Sequence, residues 1–284
     1  MSQEKGTQPR TVVLTGATNG IGLEAATQVA AEGHRLVLVG RSPEKLGRTA
    51  AEVAAAGAAG VDTVVADYES LDSVRRAADE ILDLCPRIDV LVNNAGQVYA
   101  SRTLTRDGHE GTFQVNHLAG FLLTELLKDR IVASAPARIV FTASVAHYGG
   151  TMVFDDLGFE RGYQVMKAYN RSKLANVLHT RSLAAELEGT GVTVNALHPG
   201  AVATGIWSRA PWFAKPVLAV AKRFMRKPAD GGAHITYLAL SPDVEGRTGG
   251  YYDDDKLKEP SDLARDDAVA ARLREVSANL VGIG

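Results

Sequence analysis

The sequence predicts an α/β fold, a doubly wound parallel sheet with helices on both faces, built as a single domain over residues 1–284. Short β-branched runs alternate with longer helical stretches along the whole chain. The apolar runs lack strict alternation, as expected of parallel strands that are covered on both faces. A glycine-rich turn follows the first run directly. With right-handed crossovers, this order of elements builds a Rossmann-type sheet.

About seven strands are expected, and each corresponds to a short apolar run. The runs are TVVLT at 11–15, RLVLVG at 35–40, VDTVVA at 61–66, IDVLVN at 88–93, ARIVFTA at 137–143, VTVNAL at 192–197 and the region of GGYYD at 249–253. Helical spacing between them includes 22–33 and 71–85. The alanine-rich stretch 52–60 is interpreted as a helix that ends at glycine, and 264–280 as a final helix with acids in its first turn.

Composition narrows the possible functions. Hydrophobic residues make up 45%, charged residues 23%, and the formal net charge is −2, which gives no reason to expect a nucleic-acid partner. Cys85 is the only cysteine and is expected to be a buried thiol in a reducing compartment. No apolar run approaches the ~18 residues of a membrane span. We therefore expect a cytoplasmic protein without an integral membrane segment, with residues 1–10 mobile.

The glycine-rich turn predicts a dinucleotide site. The stretch TGATNGIG, residues 15–22, follows a strand and runs into a helix. Its glycines allow the backbone to approach a pyrophosphate, and the helix amino end offers free N–H groups. A phosphate loop of the nucleoside-triphosphate type is excluded because no Gly-Lys-Ser/Thr follows.

The end of the second strand indicates which dinucleotide is bound. NAD sites place a carboxylate here to hold the ribose hydroxyls, whereas this chain has Gly40 and Arg41. A guanidinium can hold a 2′-phosphate with two parallel hydrogen bonds, so NADP(H) is the predicted cofactor. The alternative is that Arg41 merely faces water.

Several further motifs occur in a familiar order. They are Asp67 after the third strand, NNAG at 93–96, Asn116 in QVNHLAG, Ser144 in FTASV, YNRSK at 169–173 and HPGAVAT at 198–204. With the glycine turn, they resemble the short-chain dehydrogenase/reductase family across nearly the whole chain. The phrases VNHLAGFLLTELL and RSKLANVLHTRSLAAEL look most like its retinol dehydrogenase-like branch. Membrane-bound members of that branch begin with an apolar anchor, and this sequence does not.

The resemblance implies a role for each matching residue. Ser144, Tyr169 and Lys173 would be catalytic, with Asn116 as a fourth member, and Tyr169 and Lys173 would also contact the cofactor. The other implied cofactor-binding residues are Gly16, Thr18, Asn19, Gly20, Ile21, Gly22, Asp67, Tyr68, Asn94, Ala95, Gly96, Pro199, Gly200, Val202 and Thr204.

The chemistry of carbonyl reduction gives the pair Tyr169 and Lys173 a physical meaning. Nicotinamide carries the hydride, and the protein must supply a proton. A tyrosine works best as the acid if its pKa falls from about 10 toward neutrality, a shift worth roughly 4 kcal/mol. An ammonium at ~4 Å in a dielectric of ~20 supplies about that much. Four-residue spacing places Lys173 on the same helix face, so the sequence predicts a lowered pKa for Tyr169.

Ser144 and Asn116 each allow a structural alternative. Ser144 ends a strand at the expected ligand-binding edge, where its hydroxyl could donate to the substrate oxygen or could cap a turn. Asn116 lies in an apolar helix pattern, where it could support a water chain to Lys173 or be a satisfied buried amide.

The substrate pocket is predicted from less specific features. His147 and Tyr148 follow Ser144 closely, and an insertion over 148–167 is expected to shape the mouth of the pocket. Trp207, Trp212 and Phe213 suggest a lid over 206–228 for a bulky apolar substrate, although core packing is an equal alternative. The bases within 209–227 could meet an acidic substrate or a membrane surface, although a solvated helix face is the favoured interpretation. The seven histidines lack metal-binding spacing, so no metal is expected.

These observations predict an NADP(H)-dependent alcohol dehydrogenase or carbonyl reductase, which could form a homodimer or homotetramer. A non-catalytic dinucleotide sensor on the same fold is a second possibility, disfavoured by the complete set of Ser144, Tyr169, Lys173 and Asn116. An epimerase or dehydratase is a third, disfavoured because the chain has little room for a larger substrate domain.

Overall fold

One sheet organises the molecule. The computed structural model describes residues 8–200 and 227–284, and within them eight strands pair in the order β3-β2-β1-β4-β5-β6-β7-β8. All neighbours are parallel except β7 and β8. The strands are β1 Thr11–Thr15, β2 Arg35–Gly40, β3 Gly60–Val65, β4 Val90–Asn93, β5 Ala137–Thr142, β6 Val192–His198, β7 Tyr251–Asp253 and β8 Lys256–Lys258.

Helices connect the parallel strands, as parallel pairing requires. The connecting helices are α1 Gly20–Ala31, α2 Pro43–Ala55, α3 Leu71–Leu84, α4 Gly111–Phe113, α5 Ala119–Ala133, α6 Val165–Glu186 and α7 Pro228–Leu240, and α8 Asp267–Leu280 follows the last strand. A single π-helical turn, Gln114–Leu118, joins α4 to α5. Short polar side chains begin several of these helices: Ser42 accepts from Lys45 N, and Asp266 accepts from two backbone amides at the start of α8.

Alternate residues of the buried strands pack against different helices. Val13 and Leu91 belong to the cluster that contains the apolar residues of α3, α5, α6 and α8. Val12 and Leu14 belong to the second cluster, with those of α1, α2 and α7. Both faces of the sheet are therefore buried, which explains why the strand sequences lack polar alternation.

The direction of winding reverses beside β1. The chain runs from β1 through β2 to β3 on one side, and then continues with β4 on the other side of β1. The carboxyl ends of β1 and β4 therefore border a crevice, the position at which doubly wound sheets bind ligands.

The predicted doubly wound parallel sheet is confirmed, with one strand more than expected. The eighth strand, Lys256–Lys258, is short and exposed, and its polar sequence carries no apolar signal. It pairs antiparallel with β7 across a turn in which Asp254 and Asp255 adopt φ of 52° and 58°. Acidic residues tolerate this left-handed conformation better than most, which fits a tight hairpin.

Two expectations fall partly outside the residues that the structure describes. Residues 1–7 of the expected mobile terminus lie outside, and so do residues 201–226, which cover nearly all of the expected lid and of the basic stretch. Among the described helices, none combines the length and hydrophobicity needed to cross a bilayer.

Candidate active site

The turn after β1 packs directly against the end of β4. Gly16 has φ +69°, and an added Cβ there would lie 2.8 Å from the Cα of Ala95. At Gly22 an added Cβ would lie 2.3 Å from the carbonyl oxygen of Gly16 and 2.5 Å from Asn94 Nδ2. Glycine is therefore required at both positions for the first turn of α1 to approach the loop.

The amino end of α1 suits an anion. Asn19 stands at the N-cap, but its side chain makes no capping hydrogen bond, and the first turn contains no acidic residue. The first N–H groups of a helix have no partner within it, and the helix dipole favours negative charge there. The closely packed glycine turn and this uncapped helix end together fit a dinucleotide pyrophosphate.

A cleft of about 590 Å³ runs along this edge of the sheet. One end is bordered by Arg41, Lys45 and Glu69, and the other by Ser144 and Tyr169. The structure therefore brings three of the four predicted catalytic residues and most of the predicted cofactor residues to one continuous cavity. The predicted residues that border it are Gly16, Thr18, Asn19, Gly20, Ile21, Arg41, Asp67, Tyr68, Asn94, Ala95, Gly96, Ser144, Tyr169, Lys173, Pro199 and Gly200.

Asn94 holds the crevice together. Its Nδ2 donates to the carbonyl oxygen of Thr15 at 3.0 Å, and the Thr142 hydroxyl donates to its Oδ1 at 3.3 Å. The backbone amides of Asn94 and Ala95 both donate to the Thr15 hydroxyl, at 3.0 and 3.1 Å. These bonds join the ends of β1, β4 and β5, so Asn94 positions the walls of the cleft.

At the far end of the cleft, charged side chains of both signs meet. Arg41 Nη1 lies 3.3 Å from Glu69 Oε1, and Arg106 lies 3.9 Å from Asp67. Arg41 is half exposed, so it is available to a ligand. Tyr68 is buried beside the Thr15 side chain, and burial raises the pKa of its hydroxyl.

Ser144 and Tyr169 meet at the opposite end. Ser144 lies two residues after the end of β5 and is buried, and its hydroxyl hydrogen-bonds to Tyr169. It also accepts from Ala146 N at 3.2 Å, which caps the short 3-10 turn Val145–Gly149. The structural and the catalytic interpretations of Ser144 are therefore compatible in one geometry.

Lys173 lies one turn after Tyr169 on α6. Its nitrogen is 5.8 Å from the centre of the Tyr169 ring and donates to the carbonyl oxygen of Thr142 at 2.8 Å. Burial lowers the pKa of Lys173 to about 8, so the amine is still mostly protonated at neutral pH. The two side chains share the cleft, as the four-residue spacing predicts.

The predicted direction of the Tyr169 pKa shift differs from the one in the structure. Burial raises the pKa of Tyr169 above 10, against the smaller lowering effect of its hydrogen bond to Ser144. The prediction from spacing treats the ammonium alone and omits the desolvation of the phenolate. Desolvation of the phenolate is the largest cause of the shift and sets its direction.

Asn116 occupies the π-helical turn between α4 and α5. Its Oδ1 accepts from Gln97 N at 2.7 Å, and its Nδ2 donates to Ser172 Oγ at 3.0 Å. Ser172 in turn donates to the carbonyl oxygen of Tyr169 at 2.8 Å. The side chain of Asn116 therefore ties the loop after β4 to the catalytic turn of α6, and each end of its amide has a protein partner.

His147 and Tyr148 lie behind Ser144 rather than in the cleft. His147 is fully buried, with Nδ1 2.7 Å from the Ser144 carbonyl oxygen and Nε2 accepting from Ser261 N at 3.2 Å. Tyr148 is half exposed and donates to the carbonyl oxygen of Glu259 at 2.5 Å. The structure does not bring either residue, both expected in the pocket, to the cavity that holds Tyr169.

Several residues of the 148–167 insertion pack against α6, and its last three residues belong to that helix. The Arg171 guanidinium, buried in this contact, donates to the carbonyl oxygens of Thr151, Asp156 and Leu157 and lies over the Phe159 ring at 3.7 Å. Of the insertion's residues, Met166 alone borders the cleft among the residues with described positions. Val202, Thr204, Trp207, Trp212 and Phe213, also predicted as site residues, lie outside the described ranges.

Sequence reasoning missed several residues that border the cleft, and four of them lie at its two ends. Lys45 and Glu69 lie at the Arg41 end, and Val145 and Met166 flank the catalytic end. The sequence position of Lys45 is a usable signal, because it falls in the first turn of the helix that follows β2, next to the ligand-binding edge of the sheet. Glu69 and Met166 carry no such signal, since their placement depends on how separate loops fold together.

A dinucleotide cradle at the switch point of a doubly wound sheet, facing a tyrosine and a lysine, defines a nicotinamide-dependent oxidoreductase. The chain matches the short chain dehydrogenase family over residues 10–212. It belongs to the short-chain dehydrogenase/reductase family, as the motifs predict.

Two curated relatives resemble the chain along most of its length. Retinol dehydrogenase 14 of Mus musculus is 43% identical over 288 residues, which cover 96% of this chain and 86% of the relative. A protein of Streptomyces sp. (strain C5), named "Putative daunorubicin C-13 ketoreductase DnrU", is 42% identical over 277 residues, which cover 96% and 93%. The predicted likeness to the retinol dehydrogenases is confirmed.

Solved structures share the fold. A protein from Mycobacterium paratuberculosis has a TM-score of 0.77 and 30% identity, with 96% of this chain and 93% of that chain covered. A single-substitution variant of actinorhodin polyketide ketoreductase with NADPH has a TM-score of 0.69 and 26% identity, with 86% and 95% covered. The 3-ketoacyl-(acyl-carrier-protein) reductase of Brucella melitensis with NADH has a TM-score of 0.66 and 25% identity, with 86% and 96% covered. The family's cofactor is thus a nicotinamide dinucleotide.

Proposed function

We propose that this chain is an NADP(H)-dependent oxidoreductase that interconverts a ketone or aldehyde with the alcohol of a bulky, apolar substrate. The observation that carries the proposal is the meeting of Ser144, Tyr169 and Lys173 at one end of a cleft whose other end holds Arg41. The glycine turn lies between these ends, where a dinucleotide pyrophosphate fits.

The proposed chemistry divides the hydride and the proton between two sources. Bound reduced nicotinamide supplies the hydride to the carbonyl carbon. The Tyr169 hydroxyl supplies the proton to the carbonyl oxygen. The Ser144 hydroxyl, already hydrogen-bonded to Tyr169, donates to the same oxygen as negative charge develops on it. Lys173, cationic at neutral pH, stabilises the phenolate that Tyr169 leaves behind.

The raised pKa of Tyr169 keeps its hydroxyl available as a proton donor. Burial keeps the phenol protonated, which is the form that donates a proton. An alkoxide formed by hydride transfer is a much stronger base than a phenolate, so this proton transfer remains downhill.

Two cations support the choice of NADP(H). Arg41 follows β2 directly, where the ribose of a dinucleotide on the glycine turn is recognised. Lys45 borders the same end of the cleft. The related structures include both NADPH and NADH complexes. Arg41 and Lys45 are therefore the residues of this chain that favour the phosphorylated cofactor.

Apolar side chains beside Tyr169 support a bulky, apolar substrate. Val145 is 45% exposed and Met166 is 49% exposed, and both border the cleft at its catalytic end. Exposed apolar side chains at the mouth of a pocket mark a surface that a ligand can cover. Two relatives carry names that include retinol and daunorubicin, a bulky alcohol and a bulky ketone.

The proposal is tested with a panel of bulky ketones and aldehydes and NADPH. We expect loss of the reduced cofactor's absorbance together with one equivalent of alcohol. A sensor would bind NADPH without consuming it, and an epimerase or dehydratase would convert substrate without net consumption. Consumption with small polar carbonyls alone would contradict the proposed substrate class.

A further inference from the structure

An acidic side chain already pairs with the guanidinium of Arg41, which the proposed function assigns to the cofactor. Glu69 Oε1 lies 3.3 Å from Arg41 Nη1, and both residues border the same end of the cleft. The Glu69 side chain is 27% exposed, against 55% for Arg41, so the carboxylate is the more enclosed partner.

The backbone holds Glu69 in this position. Its amide donates to Asp67 Oδ1 at 3.1 Å, and its carbonyl oxygen accepts from Arg106 N at 3.3 Å. Ser70 N closes the same turn by donating to the Asp67 carbonyl oxygen at 3.0 Å. The carboxylate is therefore presented to Arg41 from a fixed turn and not from a freely moving segment.

We infer that Glu69 competes with the 2′-phosphate of NADP(H) for Arg41 and so limits the preference of this protein for NADP(H) over NAD(H). The inference rests on the proposed assignment of Arg41 to that phosphate. Glu69 acts as a specificity-determining residue, and it does not take part in the chemical step.

Electrostatics sets the sign of the effect. A phosphate that binds Arg41 must displace the Glu69 carboxylate or share the guanidinium with it. In either case the phosphate comes close to a like charge, which is unfavourable. The ribose of NAD(H) carries a neutral hydroxyl at this point, which can donate to a carboxylate. Neutralising Glu69 therefore strengthens NADP(H) binding and leaves NAD(H) binding equal or weaker.

The size of the effect follows from the exposure of the pair. Exposed ion pairs contribute little, and the loss of one such competing contact corresponds to about two- to fivefold in affinity. Removal of the like charge adds to this. We expect the dissociation constant of a 2′-phosphorylated ligand to fall by about three- to tenfold in Glu69→Gln.

Binding without turnover provides the test. The affinities of wild type and Glu69→Gln for 2′,5′-ADP, 5′-ADP, NADPH and NADH are measured by isothermal titration calorimetry. Glu44→Gln is the matched control, because it makes the same charge change at a carboxylate that pairs with Arg48 at 3.5 Å on α2 and does not border the cleft. The expected result is tighter binding of 2′,5′-ADP and NADPH in Glu69→Gln alone, with 5′-ADP and NADH unchanged within about twofold.

Weaker or unchanged binding of 2′,5′-ADP in Glu69→Gln would overturn the inference, because it would show that Glu69 orients Arg41 or has no influence on it. An equal gain in Glu44→Gln would also overturn it, since net charge alone would then explain the effect. Arg41→Ala distinguishes a failure of the Glu69 inference from a failure of the NADP(H) assignment on which it rests. If wild type does not prefer 2′,5′-ADP over 5′-ADP and Arg41→Ala changes neither affinity, the NADP(H) assignment fails and the inference fails with it.

Discussion

The Lys173 nitrogen lies 5.8 Å from the centre of the Tyr169 ring while it donates to the carbonyl oxygen of Thr142 at 2.8 Å. The lysine is thus held beside the phenol by the end of β5, in a buried position. Both titrating groups are shifted by burial, the pKa of the amine downward and that of the phenol upward. The catalytic pair is therefore kept as a neutral phenol beside an amine that loses its proton more easily than usual.

Replacement of Lys173 by Met should change how stability depends on pH. The folded-state pKa of Lys173, about 8, lies below its ordinary 10.5, so the unfolded chain binds more protons between these values. Stability then rises with pH in that window, and below pH ~8 the destabilising effect of this group is at its full size and no longer changes with pH. Without cofactor, the unfolding free energy of wild type minus that of Lys173→Met should increase by about 2 kcal/mol from pH 7 to 10. Urea denaturation measures it, and a difference that is independent of pH would show that the amine has an ordinary pKa.

Replacement of Ser144 by Ala should slow turnover without loss of cofactor affinity. The hydroxyl that donates to the developing oxyanion is removed, so kcat should fall by about 10²-fold. Because the same hydroxyl accepts from Ala146 N, a loss of about 1 kcal/mol in stability is also expected. Ser144→Thr retains a hydroxyl and should recover part of kcat. Equal rates in Ser144→Ala and wild type would exclude an oxyanion role.

Replacement of Gly22 by Ala should disrupt the cofactor cradle. The added methyl would meet backbone at 2.3 Å, so α1 must move away from the turn. We expect NADPH affinity to fall by about tenfold or more, with a loss of stability of about 1–3 kcal/mol. Gly47→Ala is the control: its Cβ meets nothing within 4 Å on α2, and it should be neutral or stabilising by roughly 0.5–1 kcal/mol. Fluorescence titration and thermal unfolding measure both; similar behaviour of the two variants would contradict the close packing.

Replacement of Arg41 by Ala should affect the two cofactors unequally. A charge-assisted contact to the 2′-phosphate is lost, so the Michaelis constant for NADPH should rise by roughly tenfold, discounted for the exposure of the side chain. The constant for NADH should change by less than about twofold. Equal increases with both cofactors would indicate that Arg41 supports the cleft rather than the phosphate.

The sequence predicts the sheet well because burial on both faces requires an apolar run at each central strand. Each of the first six strands begins or ends within two residues of its apolar run. The glycine turn is equally readable, since Gly16 and Gly22 are needed for close backbone contact. β8 could not be predicted in this way, because Lys256–Lys258 is an exposed edge with no apolar signal.

The candidate site is harder to predict from the sequence where loops that are distant along the chain come together. His147 follows Ser144 closely, yet the 3-10 turn directs it away from the cleft and into contact with Tyr251. Glu69 reaches Arg41 only because β2 and β3 end side by side. The direction of the Tyr169 pKa shift depends on burial by the whole site, and the spacing of residues along one helix does not reveal that burial.

The central claim is that the Tyr169 hydroxyl donates the proton in a reaction that consumes NADPH. The most direct measurement compares wild type with Tyr169→Phe, using a bulky ketone that wild type reduces and titration of NADPH onto each protein. We predict that kcat falls by about 10³-fold or more while the dissociation constant of NADPH changes by less than about threefold. Turnover by Tyr169→Phe at the rate of wild type would contradict the mechanism.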